Sequence, residues 1–485
     1  MVDLARSGAR GALVTLLSQV VRFVLRFGSM IVLARLLAPQ DFGLVAMATT
    51  VAGIAEIIRD FGLSSAAIQS RKLTDQERSN LFWTNLLIGA GCGALAVAGS
   101  GAIASFYGEP RVQSIVLALA GLMVVSGANT QFRAELSRSM KFRALAITDV
   151  VAQLLSVAVA VGSAAAGLGY WAIVLQQVTL VVVTCAMNVG QCSWRPGRFT
   201  RSVPMGRFLR YGGPVAGTQA IGYATNNVDN LALGATWGAG PLGIYSRAYQ
   251  LLLVPLEQVN TAMTNVVLSV LSKVRDDRVT FDRYLLRLQQ ANGYLLGTGF
   301  AVAAGLSAPL VAIIFGPGWH EVGPVFAVLA VGGIFRAYTQ VVYWTFLSLG
   351  LTAQQLRLYL ITRPFMIGLI LAGLPWGPVG VATGHSVAFL LYWLVSLRQL
   401  AHAASLDARP LLQQALRSLL QLTAPAGLAA FAGSLAFDNP AAACLAGVVA
   451  VAGYLAALSA LSRRQRGEMA AIAGIVRRAV ARTAT

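Results

Sequence analysis

Residues 29–69 read SMIVLARLLAPQDFGLVAMATTVAGIAEIIRDFGLSSAAIQ. Two apolar helices are predicted on either side of a Pro39-Gln40-Asp41 turn, and the second carries Glu56, Arg59 and Asp60. Each charge placed at membrane depth costs roughly 2.5–3.5 kcal/mol, so such groups normally face a bundle interior or an aqueous cavity. The remainder of the chain is expected to enclose that cavity.

Composition sets the frame. The 485 residues are 56% hydrophobic and 11% charged, whereas about a quarter of a soluble globular chain is charged. Apolar runs long enough to span a bilayer recur into the last quarter of the sequence, so the chain reads as an all-α polytopic membrane protein. The first run, 12–37, is too long for a signal peptide and holds Arg22 and Arg26, which makes it a retained span. A net charge of +19 raises the question of nucleic acid, but the basic residues fall in alternate loops. That is the positive-inside pattern, and it favours anionic phospholipids as partners and no nucleic acid. Cys92, Cys185, Cys192 and Cys444 lack CxxC spacing, and His320, His385 and His402 are scattered, so no disulfide or metal site is expected.

About fourteen transmembrane helices are predicted. They cover 12–37, 42–62, 81–106, 113–132, 146–166, 170–192, 211–234, 242–271, 290–315, 324–349, 356–374, 377–397, 413–435 and 440–461. An even number leaves both termini on one side. The basic loops near 71–78, 133–143, 195–210, 273–287 and 398–409 and the basic tail share that side, which assigns both termini to the cytoplasm. An internal repeat aligns LARLLAPQDFGLVAMA (33–48) with LGATWGAGPLGIYSRA (233–248), placing Gly43 opposite Gly243. The expected organisation is a six-helix lobe at 1–200, a second six-helix lobe at 201–405, and two extra helices with a basic tail at 406–485. The lobes would be related by a pseudo-two-fold axis along the membrane normal, and transporters use such repeat interfaces as substrate sites.

Polar stripes mark the helix faces that would line the cavity. Gln19, Arg22, Arg26 and Ser29 share one face of the first span, and Thr49, Gly53, Glu56 and Asp60 share one face of the second. The seventh span aligns Gln219 with Asn226 and Asp229, the eighth Arg247 with Glu257, and the tenth Arg336 with Thr339. Arg22, Arg26, Arg59, Arg247 and Arg336 suit a phosphate-bearing substrate, because the guanidinium fork is permanently charged and binds two oxygens at once. Snorkelling, or pairing with a neighbouring acid, is the competing use of these arginines. Glu56, Asp60, Asp149, Asp229 and Glu257 are the acids available for ion coupling or charge pairing. The loop from Ser193 to Arg210 reads as a topology-setting loop lying on anionic lipid. No GxxxxGK[ST], HExxH or GxSxG motif occurs, so neither an enzyme nor a cofactor is expected.

The stretch ARLLAPQDFGLVAMATTVAGIAEIIRDFGLSSAAIQ resembles the N-terminal hallmark of the Wzx-type polysaccharide transporters, within the multidrug, oligosaccharidyl-lipid and polysaccharide exporter superfamily. ELSRSMKFRALA and IFGPGWHEVGPVFAVLA are similar to that family's pattern as well. The resemblance implies two six-helix lobes around a V-shaped cavity in the bacterial inner membrane. It implies flipping of an undecaprenyl-pyrophosphate-linked oligosaccharide from the cytoplasmic to the periplasmic leaflet by alternating access, ahead of periplasmic polymerase machinery. By analogy with the related lipid II flippases it also implies that Arg22, Arg26, Arg59 and Arg247 surround the pyrophosphate. The alternatives are a multidrug or cation antiporter of the MATE type and a non-transporting membrane scaffold.

Overall fold

A computed structural model describes residues 2–60, 73–201, 206–462 and 465–468; the side chains of 2–16, 54–60, 207–218, 220, 221, 261, 262 and 265 are outside the description. Every described element is helical, and packing divides the chain into two compact units, Met1–Gly243 and Ile244–Thr485.

Unit 1 holds α1 (Val2–Leu36), α2 (Pro39–Asp60), α3 (Asp75–Tyr107), α4 (Arg111–Arg138), α5 (Phe142–Ala165), α6 (Trp171–Gln191) and α7 (Gly206–Trp237). Local chemistry sets the boundaries. The Asp41 carboxylate accepts from the Ala38 N–H at 3.0 Å at the start of α2. Thr74 and Glu77 form a reciprocal capping box ahead of α3, which ends at Gly108 in the left-handed region. α3 and α4 form an antiparallel hairpin in which Gly89 and Gly93 leave room for the Met123 and Ala120 carbonyls. At the end of the hairpin nearest the basic loops, Phe82, Phe132, Leu136 and Cys192 form an aromatic-rich core cluster.

Unit 2 takes up most of α8 (Ala239–Val274) and continues with α9 (Arg278–Asn292), α10 (Thr298–Gly305), α11 (Ser307–Ile314), α12 (Val322–Ser348), α13 (Thr352–Ala372), α14 (Gly377–Ala404), α15 (Arg409–Ser418), α16 (Ala424–Ser434) and α17 (Pro440–Leu461). α12 is the buried centre. Its Tyr338 stacks on Trp393 of α14 at 5.3 Å, and the Trp344 indole donates to Thr264 at 2.9 Å.

Two predicted spans are not single straight helices. The segment 290–315 begins within α9, passes through a π-helical turn at Gly293–Gly297, and bends by 81° between α10 and α11. Pro309 explains the bend, since it has no N–H for the Gly305 carbonyl and its ring crowds that turn. The segment 413–435 is likewise split by a π-helical turn at Leu419–Thr423, ahead of Pro425. The Gln421 carbonyl, which Pro425 cannot serve, accepts from the Tyr454 hydroxyl at 2.5 Å.

Among the described residues, eight stretches are long and apolar enough to cross a membrane, or nine if the bent α9–α11 segment counts as one. Two predicted spans share one of these stretches, Thr352–Ala404. Outward-facing aliphatic residues such as Leu95, 75% exposed, and Leu420, 72% exposed, are what a helix surface in contact with lipid requires. The protein is an all-helical, multi-pass membrane protein.

Candidate functional site

Among the described residues of unit 1, one cluster of three charges is centred on Asp149 of α5. Arg133 of α4 grips its carboxylate with both terminal nitrogens, Nη1 to Oδ1 at 2.7 Å and Nη2 to Oδ2 at 3.0 Å. Arg22 of α1 adds a third contact, Nη1 to Oδ2 at 3.1 Å. The Asp149 side chain is 12% exposed and that of Arg22 36%. One acid between two guanidiniums leaves the cluster with a net positive charge. The Arg22 Nε is buried and has no hydrogen-bond partner among the described residues. Further along the same face of α1, Ser29 accepts from Gln176 of α6 at 2.9 Å. The polar face predicted for α1 therefore points at polar groups on its neighbours. Arg26, on that face, is exposed and has no hydrogen bond or ion pair among the described residues.

The Thr49–Gly53 part of the second stripe borders a cavity of about 370 Å³ between α2, α4, α6 and α7. Leu119, Met123 and Gln177 line it, together with Tyr223, and among the described residues no charged side chain does. Gly53 is where a Cβ would collide with the Tyr223 ring. The Tyr223 hydroxyl donates to the Thr49 and Thr50 carbonyls, both at 3.1 Å. The side chains of Glu56, Arg59 and Asp60, farther along this helix, lie outside the described residues. Asp229 of α7 is 2% exposed and accepts from the Asn230 N–H at 2.8 Å.

In unit 2, Arg336 of α12 donates from Nη1 to the Tyr249 hydroxyl of α8 at 3.1 Å. Its guanidinium also lies 5.1 Å from the Phe389 ring centre, a cation–π distance. His385 packs edge-on against Tyr249 at 5.3 Å and tilted against Phe389 at 4.8 Å. Arg363 has a similar setting, 4.9 Å from the Tyr359 ring and 5.7 Å from Tyr392. Arg247 is half-buried on α8, two residues before Tyr249, and Glu257 on the same helix is exposed.

Hydropathy places Arg133 in a loop and so misses it as the main partner of Asp149. A signal is nevertheless present: the two residues are 16 apart and equidistant from Lys141, at the turn of a helical hairpin. The basic linker also differs from its sequence reading. α7 begins at Gly206, so the loop does not extend to Arg210. Residues 197–200 are tied to the start of α3. Asn80 donates to the Thr200 carbonyl at 2.8 Å and accepts from its N–H at 2.9 Å. The Gly197 N–H donates to Ser79 at 2.9 Å and its carbonyl accepts from the Trp83 indole at 2.8 Å.

Comparison with known proteins adds identity to this geometry. Residues 32–324 match the family described as polysaccharide biosynthesis protein. The lipopolysaccharide biosynthesis protein WzxC of Escherichia coli is 25% identical over 336 residues, 67% of either chain. The succinoglycan biosynthesis transport protein ExoT of Rhizobium meliloti is 25% identical over 317 residues, 65% of this chain and 64% of that one. Among solved structures, the lipid II flippase MurJ in an inward closed conformation shares the fold, with a TM-score of 0.72 at 14% identity, covering 91% of this chain and 97% of the other.

Proposed function

The chain belongs to the polysaccharide biosynthesis protein family, and we propose that it flips an undecaprenyl-pyrophosphate-linked oligosaccharide between membrane leaflets. The direction is cytoplasmic to periplasmic, across the bacterial inner membrane, by alternating access. The product feeds periplasmic polymerase machinery that makes exopolysaccharide, capsule or lipopolysaccharide O-antigen. The family match over residues 32–324 carries this reading.

Physical chemistry supports it. A glycan and two phosphates cannot cross about 30 Å of hydrocarbon unaided. The pairing of Arg22 and Arg133 with Asp149 supports this reading, because partial neutralisation lowers the cost of keeping a cation at membrane depth. Arg26, Arg59, Arg247 and Arg336 are proposed to complete the pyrophosphate contacts. Of the acids, Asp149 serves as a charge partner, and Glu56, Asp60, Asp229 and Glu257 are the groups proposed for ion coupling. The finer architecture in this proposal is about fourteen spans: six-helix lobes at 1–200 and 201–405, and an appendix at 406–485. Both termini are cytoplasmic, anionic phospholipids flank the basic loops, and no catalytic step is involved.

The test is reconstitution of the purified protein in proteoliposomes loaded with a fluorescent undecaprenyl-pyrophosphate oligosaccharide. Lectin accessibility of the opposite leaflet should rise with time in protein-containing vesicles. Equal rates with and without protein would refute the proposal.

A further inference from the structure

We propose that unit 2 carries a phosphate-binding pocket between α9 and α15, on the face that bears the basic loops. Arg283, Arg287 and Arg417 line a recess of about 340 Å³, together with Gln290, Gln413 and Tyr294. That volume is at the lower end of small-ligand sites, and beside Leu286 and Pro410 the lining carries guanidinium and amide donors from both helices. The pocket uses none of the residues in the transport proposal and stands whether or not that proposal does.

The walls are fixed before any ligand arrives. Arg283 and Arg287 are one turn apart on the exposed side of α9, while Phe281, Leu285 and Gln289 are buried on its other side. The Gln289 amide donates across to the Leu411 carbonyl at 2.7 Å and to Gln414 at 2.9 Å, locking α9 to α15. Each helix runs directly into a π-helical turn, Gly293–Gly297 and Leu419–Thr423, a distortion that recurs at functional sites. Tyr294, in the first of these turns, donates to Gln465 at 2.8 Å and to the Glu468 carboxylate at 2.5 Å.

None of the three arginines is held in a close ion pair. Among the described residues no acid is within ion-pair distance of Arg283, Arg287 or Arg417. The nearby acids are engaged elsewhere. Asp277 caps α9 through the Thr280 N–H and hydroxyl at 3.1 and 2.6 Å, and Asp282 faces Arg278 at 3.7 Å. Among the described lining residues Glu468 is the one acid, against three arginines. Guanidinium forks and amide donors converging on one space suit a phosphate group, which accepts several charge-assisted hydrogen bonds at once. The phosphate can belong to a membrane phospholipid headgroup or to a soluble phosphate compound, and Glu468 competes with either.

The experiment uses the full-length purified protein in two arms. Calorimetric titration with inorganic phosphate, in nanodiscs of phosphatidylcholine alone, reads the soluble source. Native mass spectrometry after detergent extraction from bilayers containing phosphatidylglycerol reads retained lipid. Saturable binding is expected in at least one arm. Arg283→Ala, Arg287→Ala and Arg417→Ala should each weaken it about tenfold, the Arg→Lys variants less, and Glu468→Gln should strengthen it. Retained phosphatidylglycerol that phosphate cannot displace identifies the lipid source, and phosphate binding without anionic lipid identifies the soluble one. Absence of saturable binding in both arms by monodisperse protein overturns the proposal. So does an equal loss from Arg275→Ala, which removes a basic side chain outside the recess.

Discussion

Gly43 and Gly243, aligned positions of the internal repeat, pack against each other reciprocally. A Cβ on Gly43 would strike the Ala239 carbonyl, and one on Gly243 would strike the Pro39 carbonyl. Each residue struck lies four positions before the opposite glycine, so the contact has local two-fold character.

Because the obstacles are backbone atoms, no rotamer change relieves them. Gly43→Ala and Gly243→Ala should each destabilise the protein by about 1–3 kcal/mol, the usual cost of overpacking. Gly28 and Gly91 have open space where a methyl group would sit, so alanine there should be neutral or stabilising by up to about 1 kcal/mol. Thermal unfolding in detergent, followed by size-exclusion chromatography, separates the two classes. Equal behaviour of all four variants would contradict the close approach.

Asp149 should behave as the hub of its cluster. Asp149→Ala leaves two guanidiniums facing each other and should cost about 1–3 kcal/mol, more than Arg22→Ala, which leaves the bidentate Arg133 contact in place. A double-mutant cycle on Arg133 and Asp149 should return a coupling larger than that for Arg22 and Asp149. Zero coupling for both pairs would dismiss the cluster as an energetic unit.

For transport, Arg22→Ala, Arg26→Ala and Arg247→Ala should each reduce surface-polysaccharide recovery in a flippase-deficient host by roughly tenfold or more. Lysine at these positions should be intermediate, since it keeps the charge and loses the fork. Arg22 requires a control for stability, because it also holds Asp149. Full recovery by well-inserted alanine variants would remove these residues from the pyrophosphate site and leave the family assignment untouched.

The linker clamp is testable by proteolysis. Asn80 is 0% exposed and satisfies both backbone groups of Thr200, so Asn80→Ala should free this segment. Tryptic cleavage after Arg195 or Arg198 should then accelerate about tenfold, as expected when local opening becomes easier by the loss of about two hydrogen bonds. An unchanged cleavage rate would show that Asn80 does not restrain the linker.

Topology can be read with reporter fusions. Fusions after Lys141, after Arg201 and at the C-terminus should report cytoplasm, and those near Gly108, Gly238 and Gly318 should report periplasm. A periplasmic signal after Arg201 would overturn the assignment of the basic loops.

Membrane character, helical class and the polar face of α1 are all legible in the residue order, because hydropathy and the helical period are local properties. So is the presence of arginines and acids within apolar stretches. Which of them meet is a matter of packing. Arg22 pairs with Asp149, more than a hundred residues away, since partner choice depends on how α1 lies on α5. Arg133 passes for a loop charge until the α4–α5 hairpin sets it beside the same carboxylate. The bend before Pro309 is written in the residue order, but its 81° size depends on the surroundings of α10 and α11. Arg283 and Arg287 read as loop charges and Arg417 as a basic residue at a span end, and they line one recess where the Gln289 amide ties α9 to α15. Long-range pairing of this kind depends on which surfaces the folded helices bring together, and no local pattern encodes it.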